Sequence, residues 1–293
     1  MESADRGLLM NVAYRLLGSA VEAEDAVQEA YARWYSMSLR SREEIRSPVG
    51  WLVTVTTRIC LDVLGSARVR REQYVGEWLP EPVPSAMQWT SHAVSRRSAD
   101  PADSISLDES LNMALLVVLE SMTPAERVAF VLHDVFAYTF SEVGDIVGRS
   151  PQACRQLASS ARRRVDGVRS DSVSTAEHER VVDLFHSALE SGDPTALIQT
   201  LDPNARAIPD GGGAVQAAIE PVEGAEQIAL YLLGLYRMQP DLSFRVDTVN
   251  GRAGLVGENA ANQALVVITF AIAGGVIRSL WAVRNPDKLL SWS

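Results

Sequence analysis

Apolar and polar positions alternate with a helical period over the first seventy residues. Leu8, Leu9, Val12, Ala13, Leu16 and Leu17 recur at three- and four-residue intervals, the stripe of an amphipathic helix. After Gly18, Ser19-Ala-Val-Glu22 has the spacing of a capping box, in which a serine hydroxyl and a glutamate satisfy each other's orphan amides. The helix it opens turns Ala26, Val27, Ala30, Tyr31 and Trp34 to one side and groups Asp25, Gln28 and Glu29 on the other. The polar residues 38–47 read as a loop. Ser47-Pro48 starts a third helix, because proline at the first helical position forfeits no bond. Val49, Leu52, Val53, Ile59, Cys60, Val63 and Leu64 face its core, while Arg58, Arg68, Arg70 and Arg71 collect toward its far end.

The period fades over residues 73–103, where Pro80, Pro82, Pro84 and Pro101 and many small polar residues mark a linker. Within it, Trp78-Leu79-Pro80-Glu81-Pro82 is too apolar for a solvated tether and is expected to dock. Helical spacing resumes: residues 105–122 read as one amphipathic helix. Thr123-Pro-Ala-Glu126 caps a second that runs through Val128, Phe130, Val131, Leu132 and Val135, and residues 141–147 form a short third. Gly148-Arg-Ser150 is a tight turn, and Ser150-Pro151 opens a fourth helix with Ala153, Leu157, Ala161 and Val165 inward. Helix, glycine-containing turn, helix is the helix-turn-helix arrangement. On the fourth helix Gln152, Arg155, Gln156, Ser159, Arg162 and Arg163 are expected to point outward, and Arg and Gln can each make paired bonds to base edges in the major groove.

From Asp171 the pattern changes to helices over residues 177–191, 195–201 and 227–237, with β-branched or alternating runs over 242–249, 264–272 and 276–283. Gly274-Gly275 suits a hairpin between the last two, and helices followed by an antiparallel sheet make an α+β domain. The expected organisation is residues 1–72, a linker at 73–103, a helix-turn-helix unit at 104–170 and the α+β domain at 171–293.

Composition narrows the function classes. Apolar residues form 47% and charged residues 22% of 293, an ordinary globular mix. The longest apolar runs, residues 113–119 and 264–277, fall short of the ~20 a membrane helix needs, and Met1-Glu-Ser-Ala-Asp-Arg6 is no secretory leader, so a cytoplasmic chain without membrane attachment is expected. Cys60 and Cys154 sit in apolar-periodic helices with no Cys or His nearby, so neither a disulfide nor a metal is expected. A net charge of −10 argues against a free-standing nucleic-acid binder, yet it is uneven. Residues 1–171 hold 19 Arg against 23 acids (−4), residues 172–293 hold 8 basic groups against 14 acids (−6), and residues 149–169 alone carry six Arg against Asp166 (+5). Lys288 is the only lysine.

Three stretches resemble a known family. Asp25-Ala-Val-Gln28-Glu29-Ala-Tyr, Gly50-Trp-Leu-Val-Thr-Val-Thr-Thr-Arg58-Ile-Cys-Leu-Asp62 and Pro124-Ala-Glu-Arg-Val-Ala-Phe-Val-Leu132 are similar to regions two and four of bacterial RNA polymerase sigma factors of the extracytoplasmic-function class. The C-terminal part resembles the SnoaL-like domain that some of these carry, with Trp78–Pro82, Asp210-Gly211-Gly212-Gly213 and Asn285-Pro286-Asp287-Lys288-Leu289 as shared motifs. Where that subgroup places a basic residue after the glycines, this chain has Ala214. The resemblance implies an all-α region two and region four followed by a cone-shaped α+β domain of the cystatin or NTF type. It implies that Asp25, Gln28 and Glu29 bind the polymerase clamp and that residues 38–47 with Arg58, Arg68, Arg70 and Arg71 hold the melted minus-ten strand. The outer face of the fourth helix would read the minus-thirty-five element. The three C-terminal motifs would meet at a contact through which the domain regulates initiation in cis.

Two other classes fit parts of the pattern: a one-component helix-turn-helix regulator with a ligand-binding domain, and a SnoaL-like cyclase or isomerase. The first would bind operator DNA alone. The second needs an acid–base pair, and His186 beside Phe185 and Leu189 reads as a packed residue, so no catalytic role and no cofactor is expected. The expected partners are core RNA polymerase and promoter DNA, with an unidentified small ligand open for the C-terminal domain.

Overall fold

The computed structural model describes residues 3–72, 74–87, 111–169, 173–215, 218 and 220–292. They form two compact units, one from residues 3–72, 111 and 115–166, the other from the described residues of 74–87, 112–114 and 167–292.

The first unit is helical. Helix α1 (Ser3–Leu17) ends at Gly18, which takes a left-handed φ of 69°. The Ser19 hydroxyl then accepts from the Glu22 amide at 3.3 Å and starts α2 (Ala20–Ser36). Helix α4 (Pro48–Glu72) buries Leu52, Val53, Thr56, Thr57, Ile59, Cys60 and Leu64 and packs on α1 and α2. By length and composition its Pro48–Ser66 part could also cross a membrane, and these buried side chains are its contribution to the helical core. The stretch 38–47 is not a plain loop. Ser38 caps a one-turn helix, α3 (Leu39–Glu43), with its hydroxyl accepting from the Ser41 amide at 3.1 Å. No residue of α3 is buried, so no apolar stripe announced it.

Helix α5 (Met113–Glu120) begins later than the period suggested, because the Asn112 side chain accepts from the Ala114 amide at 3.0 Å and caps it there. Residues 105–110 of the expected helix lie outside the described residues. Thr123 and Glu126 complete a capping box on α6 (Pro124–Phe130), which widens into a π-helical turn at Val131–Val135. Helix α7 (Phe140–Val147) carries a second box, Thr139 with Glu142, and ends at Gly148 with φ 71°. A Cβ on Gly144 would lie 2.6 Å from the Arg149 carbonyl oxygen, so the turn into α8 (Pro151–Arg169) closes only over a glycine. The buried stripe of α8 is Cys154, Ala158, Ala161 and Val165. Ala161 and Val165 are buried as expected, whereas Ala153 and Leu157, also expected inward, are half-buried beside Cys154 and Ala158.

The second unit is α+β. Helices α9 (Thr175–Ser191), α10 (Pro194–Gln199) and α11 (Ala225–Met238) cover one face of a six-stranded sheet ordered β2-β1-β6-β5-β4-β3. The strands are β1 (Leu201–Asp210), β2 (Val222–Glu223), β3 (Ser243–Val249), β4 (Arg252–Glu258), β5 (Ala264–Ala273) and β6 (Val276–Val283). Phe185 of α9 is fully buried and meets Phe270 of β5 edge-on at 5.1 Å, the centre of a core shared by helices and sheet.

The sheet is not wholly antiparallel as expected: β1 runs parallel to β6, with Asp210 opposite Val283. Between β1 and β6 the chain runs through β2, α11, β3, β4 and β5, and no local pattern reveals a pairing between strands so far apart. Strand β4 was also missed, although Asn250-Gly251, both at positive φ, is the hairpin turn that joins it to β3.

Candidate functional site

Three surfaces carry the residues singled out from the sequence. The first is the outer face of α2. Asp25, Gln28 and Glu29 are all exposed there, and Glu29 pairs with Arg33 at 2.5 Å on the next turn. Exposed carboxylates with their backbone held by a packed helix suit electrostatic steering by a basic partner.

The second surface is the helix-turn-helix. Gln152, Arg155, Gln156, Ser159 and Arg163 are exposed on α8. The Arg155 guanidinium lies 5.2 Å from the Phe140 ring centre, and that ring stacks on His133 at 3.8 Å, so an aromatic shelf from α7 orients it. Arg162 does not point outward. It is half-buried and pairs at 2.5 Å with Asp134, whose side chain is 1% exposed. A buried carboxylate needs a cation, and Asp134, on the π-helical turn, finds it in Arg162 of α8. Glu126 sits under the same helix, receiving Ser160 at 2.8 Å. Burial raises its pKa, but bonds from Thr123 and Ser160 and the nearby Arg164 outweigh this and hold it below the usual range.

Arg58 is engaged within the helical unit. Its guanidinium donates to the Asp145 and Ile146 carbonyl oxygens at 2.8 and 3.3 Å, at the carbonyl end of α7. Arg127 makes a further link within the helical unit. It donates to the Leu16 carbonyl at 2.7 Å and to both Glu120 oxygens at 2.7 and 3.1 Å. Burial lowers its pKa to about 10, which still leaves it charged at neutral pH. The side chains of Arg68, Arg70 and Arg71 lie outside the described residues.

The third surface is an ionic clasp inside the second unit. Asp210 ends β1 and is fully buried. Its Oδ2 receives Lys288 Nζ at 2.7 Å and the Leu79 amide at 3.0 Å, and its Oδ1 receives the Tyr74 hydroxyl at 2.6 Å and the Gly212 amide at 3.1 Å. Lys288 also donates to the Leu79 carbonyl at 2.6 Å, while its ammonium lies 4.1 Å from the Trp78 ring centre and 4.9 Å from that of Tyr74. Asn285 Nδ2 donates to the Tyr74 hydroxyl at 2.9 Å. Burial, then the Asp210 carboxylate, raise the Tyr74 pKa, so the phenol keeps its proton and donates.

The glycines permit this approach. A Cβ on Gly212, at φ +60°, would lie 2.4 Å from Asn285 Nδ2, and one on Gly213 would press on Val75. Gly211 is buried with Asp210, Ala214 is exposed, and Pro286 and Asp287 form the exposed crest of the turn that seats Lys288 and Leu289. Beyond Leu79, the stretch Pro80-Glu81-Pro82 is buried too. Trp292 Nε1 donates to the Pro82 carbonyl at 2.9 Å, and Asn250 bonds both backbone groups of Val83. The structure thus brings Trp78–Pro82, Asp210–Gly213 and Asn285–Leu289 together. Tyr74, Asn250 and Trp292 were not anticipated; a buried lone lysine was the available signal, since Lys288 needed a carboxylate.

The helical unit matches known proteins at both ends. Residues 3–72 match Sigma-70 region 2 and residues 112–165 match Sigma-70 region 4. The ECF RNA polymerase sigma factor SigJ of Mycobacterium tuberculosis is 38% identical over 293 residues, covering 96% of this chain and 89% of the relative. This chain belongs to the extracytoplasmic-function sigma factors. A probable sigma factor of the same organism, SigI, is 33% identical over 288 residues, 98% of this chain and 92% of the relative. The likeness holds in three dimensions. The SigJ crystal structure superposes with a TM-score of 0.74 at 33% identity, covering 99% of this chain and 97% of that one. Both similarities therefore include the α+β domain, which this sigma factor carries after region four.

Proposed function

We propose that this sigma factor binds core RNA polymerase, directs initiation at particular promoters, and is regulated in cis by its α+β domain through the Asp210–Lys288 clasp. Membership of the family supports the first two parts. Asp25, Gln28 and Glu29 contact the polymerase clamp. Residues 38–47, with Arg58, Arg68, Arg70 and Arg71, hold the opened minus-ten strand by charge and by capture of unstacked bases. Gln152, Arg155, Gln156, Ser159 and Arg163 read the minus-thirty-five duplex, while Arg162 stays with Asp134 and supports the helix. The α+β domain acts as a regulator rather than an enzyme.

One observation carries the regulatory part. The stretch 74–87 that follows region two belongs to the same compact unit as the C-terminal domain, and Lys288 bonds both its backbone and Asp210. Whatever changes the clasp changes how freely region two is tethered. The test is promoter-dependent run-off transcription with core polymerase, comparing the full chain with Lys288→Met and Asp210→Asn. Initiation by the parent chain, altered several-fold by both variants, is the expected result. No initiation by any form rejects the sigma reading, and identical initiation by all three rejects the regulatory one. Duplex binding tight enough to need no polymerase would favour the one-component regulator.

A further inference from the structure

A funnel opens beside the clasp within the α+β unit. Its mouth has a volume of about 450 Å³, the size of a small-molecule site, with Val215, Met238, Leu242, Leu265, Pro286 and Leu289 among its walls. A second, narrower cavity of about 40 Å³ lies between Tyr231, Tyr236, Phe244 and Ile268 and shares Gln239, Leu242 and Arg284 with the first. Arg284 lines both and is half-buried, which places a cation where the two adjoin; Asp241, also in the lining of the mouth, is exposed.

The walls of the funnel and the grips of the clasp are the same two short segments. After β6, Arg284, Pro286 and Leu289 line the mouth, whereas Asn285 and Lys288 bond Tyr74, Leu79 and Asp210. Val215 lines the mouth just past the glycines that follow Asp210. The Arg284 and Asn285 amides both donate to the Asp210 carbonyl, at 2.7 and 3.0 Å, which ties the two segments together. We propose that the funnel binds a small apolar carboxylate, its chain in the mouth and its head at Arg284, and that occupancy sets how firmly the clasp holds residues 74–87. This deepens the regulatory reading above and rests on it for its consequence in transcription.

The test is calorimetric titration of the full chain with decanoate, with decanol as the uncharged control, and amide hydrogen exchange at Leu79, which donates to Asp210. Saturable decanoate binding is expected, about tenfold weaker in Arg284→Gln and lost in Leu265→Trp, whose ring fills the mouth. Leu79 exchange should change by roughly threefold or more on saturation. If circular dichroism shows Leu265→Trp unfolded, Gln263→Trp on the same rim replaces it. No binding, binding that survives a filled mouth, equal affinity for decanol, or saturation without a change at Leu79 would each overturn the proposal. Polymerase is absent throughout, so failure here is distinct from failure of the run-off test.

Discussion

Lys288 illustrates how one side chain sets the local energetics. Its ammonium satisfies a fully buried carboxylate and a backbone carbonyl while resting on two aromatic rings. Lys288→Met leaves Asp210 charged and uncompensated, and a loss of about 3–5 kcal/mol in the stability of the α+β unit is expected by denaturant unfolding. His178 gives a pH-dependent counterpart. It is buried on α9, and its ring lies 2.9 Å from the Ala253 carbonyl oxygen through Nε2. Burial lowers its pKa below 6.5, opposed by the bond to Ala253 and by Glu179 and reinforced by Arg252. Below pH 6.5 the unfolded chain therefore takes up a proton that the folded chain refuses, so stability is full above that value and falls as pH drops. His178→Gln, which keeps a donor for Ala253, should flatten the decline in melting temperature between pH 7 and 5; an unchanged slope assigns it elsewhere.

At the scale of elements, α8 joins structure and recognition on adjacent turns. Arg155 is exposed over Phe140, while Arg162 holds buried Asp134. Arg155→Ala should leave thermal stability within about 0.5 kcal/mol and reduce discrimination at one base pair of the minus-thirty-five element by about 1–3 kcal/mol. Arg162→Ala should instead destabilise the helical unit by several kcal/mol, because Asp134 loses its cation. Melting curves beside run-off on promoter variants separate the two. Helix periods, capping boxes and the glycine turn made these elements legible in the sequence. The widened turn at Val131–Val135 was not, since π-helical hydrogen bonds leave no compositional mark.

At the scale of the whole molecule, the segmentation differs from a simple bead-and-linker chain. The proline-bearing stretch after region two is built into the α+β unit through Leu79, Val83 and the bonds to Asn250 and Trp292. Removing residues 172–293 therefore does more than delete a regulator. It leaves Leu79 and Val83, 2% and 0% exposed in the intact chain, without cover. The truncated protein should be cleaved rapidly by protease within 74–87, while the full chain resists there; equal resistance in both would show that this packing contributes little.

What the sequence determined by itself was local and periodic: the helices of regions two and four, their caps, the hairpin at Gly274-Gly275, and an acidic face on α2 set against a basic α8. These follow from spacing and backbone chemistry within a few residues. That the three C-terminal motifs belong together came from family resemblance, whereas their geometry did not. Tertiary structure alone decided that β1 lies parallel to β6, that Arg162 turns inward, and that Tyr74, Leu79, Asp210 and Lys288 share one buried site. Pairings across 78 or 131 residues depend on which charges burial forces to find partners, and no local period encodes them.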